Sequence, residues 1–341
     1  MPSLHETASR LVSPGTGILA ADESEGTIAK RFAVIGLPVT FETRRDYREM
    51  LFGAREAMSQ YISGVILTEE TLKQSAADGT PFVALFAETD VIPGIKVDRG
   101  AFAMPGTRGE KITEGLDGLR QRLADYARLG ARFAKWRGVI AVNDYAPSRN
   151  GIRANAHVLA RYAALCQEAG IVPVVEPEVL ADGEPGDHSI ERCAEVTAET
   201  LETVFKELRL AGVDLGGMLL KPNMVTPGVR SPQRVISDEI ARRTLEVLKA
   251  HVPASVHGIA FLSGGQSDEA ATANLSAMNR MGRHPWALTF SYGRALQNAA
   301  LLAWGGEAGN VPRAQVAFAH RARMNALAAT GEWAPELDRA A

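Results

Sequence analysis

Lys221 closes the apolar run Leu215-Gly-Gly-Met-Leu-Leu-Lys221 and is followed at once by Pro222. Burying an ammonium without a partner is costly, and desolvation lowers the pKa of a lysine placed there. A lysine held neutral in this way attacks carbonyls, and the imine it forms draws electrons from the neighbouring carbons so that a C–C bond can break. A lysine at a strand end can also simply snorkel to water, so the other ionisable groups must decide between the two roles. Four further apolar runs deliver such groups. The first ends in Asp22-Glu23-Ser24, another contains Lys96, another carries Lys135-Trp136-Arg137, and another ends in Glu176-Pro-Glu178. One charged strand end needs no special account; this many are best explained by a shared pocket. Two later runs are followed by anion-binding chemistry. Ser263-Gly-Gly-Gln-Ser267 lets backbone N–H groups approach closely, and Ser291-Tyr-Gly-Arg294 offers a hydroxyl, an N–H and a guanidinium just before a helical pattern.

The elements that must position these residues alternate along the chain. Short β-leaning runs lie at Gly17 to Ala21, Gly64 to Leu67, Ile92 to Val97, Phe133 to Val142, Ile171 to Val175, Gly216 to Leu220, Gly258 to Leu262 and Ala287 to Phe290. Between them come helical patterns such as Leu201, Val204, Phe205 and Leu208, and Gly130, Gly170 and Gly212 stand where a helix would stop. Strand and helix in alternation, with no linker-like break in 341 residues, predict an α/β fold of one domain spanning 1–341, a single (β/α)8 TIM barrel; a doubly wound open sheet is the alternative. In such a barrel the carboxyl ends of the strands carry the chemistry, which is where the charged residues fall. Position alone predicts a mobile C-terminal tail from about residue 325. The letters Gly15-Thr-Gly-Ile-Leu-Ala20 match a dinucleotide fingerprint but precede a strand instead of opening a helix, so no such cofactor is expected.

Composition narrows the classes. With 46% hydrophobic and 23% charged residues and a net charge of -3, the chain has ample core and no global pull towards nucleic acid. No stretch reaches the roughly 18 apolar residues of a membrane span, and the N-terminus has no signal-peptide pattern, so a cytoplasmic protein is expected. Cys166 and Cys193 read as reduced core residues of helices. The seven histidines are scattered, with no pair spaced to share a metal on one helix face, so no metal site is expected.

Seven segments, in order, carry a resemblance: Gly17-Ile-Leu-Ala-Ala-Asp-Glu-Ser24, Gly94-Ile-Lys-Val-Asp98, Phe133-Ala-Lys-Trp-Arg137, Val172-Pro-Val-Val-Glu-Pro-Glu178, Leu219-Leu-Lys-Pro-Asn-Met-Val-Thr-Pro-Gly228, Phe261-Leu-Ser-Gly-Gly-Gln-Ser267 and Trp286-Ala-Leu-Thr-Phe-Ser-Tyr-Gly-Arg294. From about residue 10 to residue 305 the chain resembles class I fructose-bisphosphate aldolases. The resemblance implies a barrel that reversibly cleaves fructose 1,6-bisphosphate to dihydroxyacetone phosphate and glyceraldehyde 3-phosphate through a lysine Schiff base. It implies no metal or cofactor, a sugar-phosphate substrate and a homotetramer. By the same resemblance, Lys221 is the Schiff-base lysine, Glu176 the proton carrier of imine formation and Asp22 the base at the C4 hydroxyl. Lys135 stabilises charge beside the imine, and Glu178 orients and balances the lysines. Ser263, Gly264, Gly293 and Arg294 correspond to the site of the C1 phosphate, and Ser24, Thr27, Lys96 and Arg137 to that of the C6 phosphate. Thr27 stands where the family has serine, which keeps the hydroxyl.

A retro-aldol step needs an electron sink, a base and a proton shuttle, which Lys221, Asp22 and Glu176 would supply. Two close cations, Lys135 and Lys221, are expected to depress each other's pKa and help free an amine. Animal members of the family end in a tyrosine that assists proton exchange at C3, whereas the last tyrosine here is Tyr292. Proton return to the carbanion is therefore expected to be slower, or to use Glu176 or water, and loss of the last 15 or so residues is expected to change it little. Alternatives from the same residues are an aldolase preferring a ketose monophosphate and a non-catalytic aldolase-like scaffold.

Overall fold

The structure, a computed structural model, describes residues 2–339. In chain order its strands are β1 (Gly17–Ala21), β2 (Ile62–Leu67), β3 (Ile92–Lys96), β4 (Ala101–Ala103), β5 (Lys111–Thr113), β6 (Phe133–Ile140), β7 (Val172–Val179), β8 (Leu219–Leu220), β9 (Gly258–Phe261) and β10 (Ala287–Tyr292). β4 and β5 form an antiparallel hairpin, and the others close a parallel barrel in the order β1-β10-β9-β8-β7-β6-β3-β2. This is the expected (β/α)8 barrel. Its strands are covered on both faces, which is why they read as continuous apolar runs instead of alternating ones.

Two boundaries differ from expectation in ways that matter. β7 continues to Val179, so Glu176 and Glu178 lie inside the strand instead of after it. β8 is only Leu219–Leu220, because Leu215–Gly217 forms a 3-10 turn whose Gly216 N–H is accepted by the Asp214 carboxylate at 3.0 Å.

Inside the barrel, alternate residues point to one axis. Ile18, Ala20, Ile66, Ile92, Phe133, Val172, Val174, Leu219 and Ala260 form an apolar floor, closed from below by Ala8, Leu11 and Val12 at the end of the helix Leu4–Leu11. Phe133 fills the axis. A Cβ on Gly94 would lie 2.3 Å from its ring, so only glycine fits there.

From about residue 325, where a mobile tail was expected, the described residues are docked. The helix Val311–Thr330 runs on to a buried Trp333 and a short helix, Pro335–Arg339. Arg321 Nη1 donates to both Asp338 oxygens at 2.6 and 2.8 Å, and Trp333 Nε1 donates to Oδ2 at 3.2 Å. Burial raises the Asp338 pKa, but the hydrogen bonds from Arg321 and His320 outweigh it and hold the carboxyl low. Asp338→Ala leaves Arg321 buried without its anion and is expected to cost roughly 3 kcal/mol, the lower end for a broken buried pair, read as a lower urea midpoint at pH 7. Because the folded pKa is depressed, this contribution is full above the unfolded value and is lost as pH falls through the folded one. The urea difference between wild type and Asp338→Ala should therefore shrink in acid.

Candidate active site

The two-residue repeat that builds the apolar floor also builds the site above it. Continuing the inward positions, Ala20 leads to Asp22, Ile92 through Gly94 to Lys96, Phe133 to Lys135 and Arg137, Val174 to Glu176 and Glu178, and Leu219 to Lys221. Each of these five strands thus spends its inward side chains first on apolar filling and then, at its carboxyl end, on a charge.

Four of these charges form one chain of contacts. Lys221 Nζ lies 3.1 Å from Glu176 Oε1, Lys135 Nζ lies 3.2 Å from Glu176 Oε2, and the same Nζ lies 2.8 Å from Asp22 Oδ2. All four residues are buried. Glu176 Oε2 makes no hydrogen bond, so the ammonium beside it acts on it as a charge. Burial pushes the Asp22 carboxyl up, but Lys135 and then Lys221 pull it well below the usual carboxylate range. Glu176 is likewise pushed up by burial and brought below its ordinary value by the same two lysines. For Lys135 the expectation of a depressed pKa is overturned. Burial lowers it, but the carboxylates of Asp22 and Glu176 outweigh that and raise it far above the ordinary lysine value. The two anions in contact with Lys135 outweigh the second cation, Lys221.

Glu178, expected beside the lysines, instead accepts a contact from Arg137 Nε. Strand register explains this. Arg137 pairs with Glu176 and Val139 with Glu178, so Glu178 sits one step higher than the lysine layer and meets the next inward residue of β6. A Cβ on Gly264 would fall 2.7 Å from Glu178 Oε1, so the glycine of the loop after β9 is what lets that loop close over the carboxylate. Glu178 holds Arg137 well above its ordinary pKa.

The anion-binding candidates fall at the same end. Ser263 is buried and its carbonyl accepts from Gln266 N at 3.1 Å, which forms the turn through Gly264 and Gly265. Gly293 caps the helix Arg294–Trp304 without any side-chain cap, leaving the first N–H groups for a ligand. Arg294 is exposed and forms no ion pair among the described residues. On the other side, Ser24 and Thr27 are exposed at the start of the helix Glu25–Val34 with their hydroxyls 3.0 Å apart, and Lys96 Nζ is 3.2 Å from Asp98. Two residues carry no individual role in the sequence reading: Asp98 pairs with Lys96, and Glu23 bridges Arg31 and Arg48. Ser291, expected to offer its hydroxyl to an anion, presents it buried and without a partner. Asp98 lies two residues beyond Lys96, an inward spacing that could have revealed it.

These shifts give a stability prediction. An acid with a depressed folded pKa binds fewer protons folded than unfolded between its two pKa values, so its stabilisation is full above the unfolded value, about 3.9 for aspartate. It is lost as pH falls through the folded value. The chain is expected to lose stability steeply below about pH 4, and Asp22→Asn to flatten that slope, as measured by urea midpoints from pH 3 to 7.

Comparison with known proteins agrees with this geometry. The family model "Fructose-bisphosphate aldolase class-I" matches residues 3–341. The chain is 52% identical over 331 residues to a probable fructose-bisphosphate aldolase class 1 of Xanthomonas campestris pv. campestris, covering 97% of this chain and 98% of that one. It is 51% identical to fructose-bisphosphate aldolase C of Rattus norvegicus, covering 97% and 90%. A solved structure of fructose-bisphosphate aldolase from Plasmodium falciparum, in complex with TRAP and a small-molecule inhibitor, superposes with a TM-score of 0.95 at 49% identity, covering 97% of this chain and 95% of that one. With the barrel and nearly the whole length shared, the chain belongs to the class I fructose-bisphosphate aldolase family.

Proposed function

We propose that the chain Lys221–Glu176–Lys135–Asp22 carries out the reversible cleavage of fructose 1,6-bisphosphate that defines the family, a lyase reaction through a lysine Schiff base without metal or cofactor. The observation that supports these roles is that one carboxylate, Glu176, touches both lysines while a second, Asp22, touches only Lys135. Lys221 hands a proton to Glu176 and attacks the C2 carbonyl. The carbinolamine then loses water as Glu176 returns the proton to the leaving hydroxyl, giving the iminium. Asp22 takes the C4 hydroxyl proton, the C3–C4 bond breaks, and its electron pair moves onto the iminium to give the enamine and glyceraldehyde 3-phosphate. The low pKa of Asp22 keeps it in the accepting form, at some cost in basicity. Lys135 stays protonated and supplies fixed positive charge beside the reacting oxygens.

Ser263, Gly264, Gly293 and Arg294 are proposed to hold the C1 phosphate, and Ser24, Thr27, Lys96 and Arg137 the C6 phosphate. Glu178 keeps Arg137 oriented. Family resemblance also supports a cytoplasmic homotetramer in glycolysis and gluconeogenesis. Among the described residues no helix is long and apolar enough to cross a membrane, and sedimentation would read the assembly.

Borohydride reduction with dihydroxyacetone phosphate, followed by peptide mass spectrometry, tests the assignment. The expected result is an adduct on the peptide containing Lys221, with cleavage activity unchanged in excess EDTA. An adduct elsewhere would reject Lys221, and activity lost on chelation would reject the metal-free route.

A further inference from the structure

Behind the carboxyl end of β1 lies a polar cluster whose side chains form no hydrogen bond or ion pair with those of the catalytic chain. Glu23, next to Asp22, has a side chain only 4% exposed and is contacted by both Arg31 and Arg48. Gln297 completes the cluster from the helix Arg294–Trp304. Its Nε2 donates to Ala20 O at 2.7 Å, and its Oε1 accepts from Tyr47 Oη at 2.9 Å and from Arg31 Nη1 at 3.4 Å. Three helices, Glu25–Val34, Phe41–Phe52 and Arg294–Trp304, are thereby tied to the last residues of one strand. Gly293 is packed against the same cluster, since a Cβ there would lie 3.2 Å from Arg31 Nη2 and 3.4 Å from Ala20 O.

One buried and one partly buried guanidinium on a buried carboxylate are an expensive arrangement for stability alone, because well-packed apolar groups usually do as well. β1 itself is packed into the core, with Leu19 and Ala21 fully buried, but just beyond it Glu23 borders a cavity of about 250 Å³, also lined by Ser24, Arg44 and Arg48. There the ion pairs of Glu23 and the hydrogen bonds of Gln297 hold the chain.

We infer that Glu23, with Arg31, Arg48 and Gln297, is a positioning node that fixes Asp22 relative to the phosphate-binding turn at Gly293. The inference rests on the proposed role of Asp22 as the base at the C4 hydroxyl. Imine formation uses β7 and β8, which the node does not touch, so the node should govern bond cleavage and leave imine formation alone. A displacement on the order of 1 Å at a reacting group can cost about 10²-fold in rate.

Glu23→Gln keeps the shape and removes the charge, and Gln297→Met keeps the volume and removes the bonds to Ala20 and Tyr47. Each is expected to reduce single-turnover cleavage of fructose 1,6-bisphosphate by about 10²-fold, while borohydride trapping by saturating dihydroxyacetone phosphate stays within about threefold of wild type. Cleavage and trapping that fall together with the melting midpoint would show a merely structural cluster and overturn the inference. Unchanged cleavage in Gln297→Met would overturn it too, whether or not Glu23→Gln folds. Wild-type protein that is neither trapped nor active would instead reject the aldolase reading, and normal cleavage in Asp22→Asn would reject the base assignment.

Discussion

Lys221→Met is expected to lower cleavage of fructose 1,6-bisphosphate by about 10⁵-fold or more, because the covalent route is lost and not merely weakened. Methionine fits the position, which is buried above Leu219 and between apolar strands, and it removes only the amine. Glu176 keeps Lys135 at 3.2 Å, so the substitution does not strand a buried carboxylate, and the protein should fold. Borohydride with dihydroxyacetone phosphate should then label nothing. Trapping that persisted on another lysine, Lys135 first among them, would move the nucleophile and with it every other assignment in the site.

Asp22→Asn is expected to give the second largest effect and a different signature. Loss of a positioned general base costs roughly 10² to 10⁴-fold, and here the loss should fall on cleavage alone. Asparagine has the same shape, cannot accept the C4 proton, and leaves Lys135 with Glu176 as its anion. Imine trapping with dihydroxyacetone phosphate, which lacks the C4 hydroxyl, should remain within about threefold of wild type because Glu176 and Lys221 are untouched. A parallel fall in trapping would mean that Asp22 serves the imine steps, and unimpaired cleavage would mean that the base lies elsewhere.

The convergence of these charges in one candidate site was legible in the sequence because ionisable residues inside apolar runs are rare and each marks a strand that must face something polar. Asp22, Lys96, Lys135, Glu176 and Lys221 all stand out in this way. Their contacts were not legible. Whether Glu178 meets a lysine or Arg137 depends on the register between β6 and β7, and the short-range pattern of either strand says nothing about register. The proton on Lys135 depends on two carboxylates from β1 and β7. Gln297 carries no local signal, because one polar residue within an amphipathic helix looks like any other until Ala20 and Tyr47 are found beside it. The docking of the last described residues, up to Arg339, lacks a local signal for a related reason. Position near an end suggests looseness, whereas Arg321 and Trp333 tie Asp338 down through contacts made across helices.

The apolar floor closed by Phe133 and the helix Leu4–Leu11 also sets the traffic of the reaction. With the amino end plugged, the ketose enters and both trioses leave by one mouth. The aldehyde product must depart while its partner is still tethered to the enzyme, and in the synthetic direction the ketone must already be seated before the aldehyde arrives. The order thus follows from the covalent tether, while the plugged end leaves substrate and both products the same way in and out.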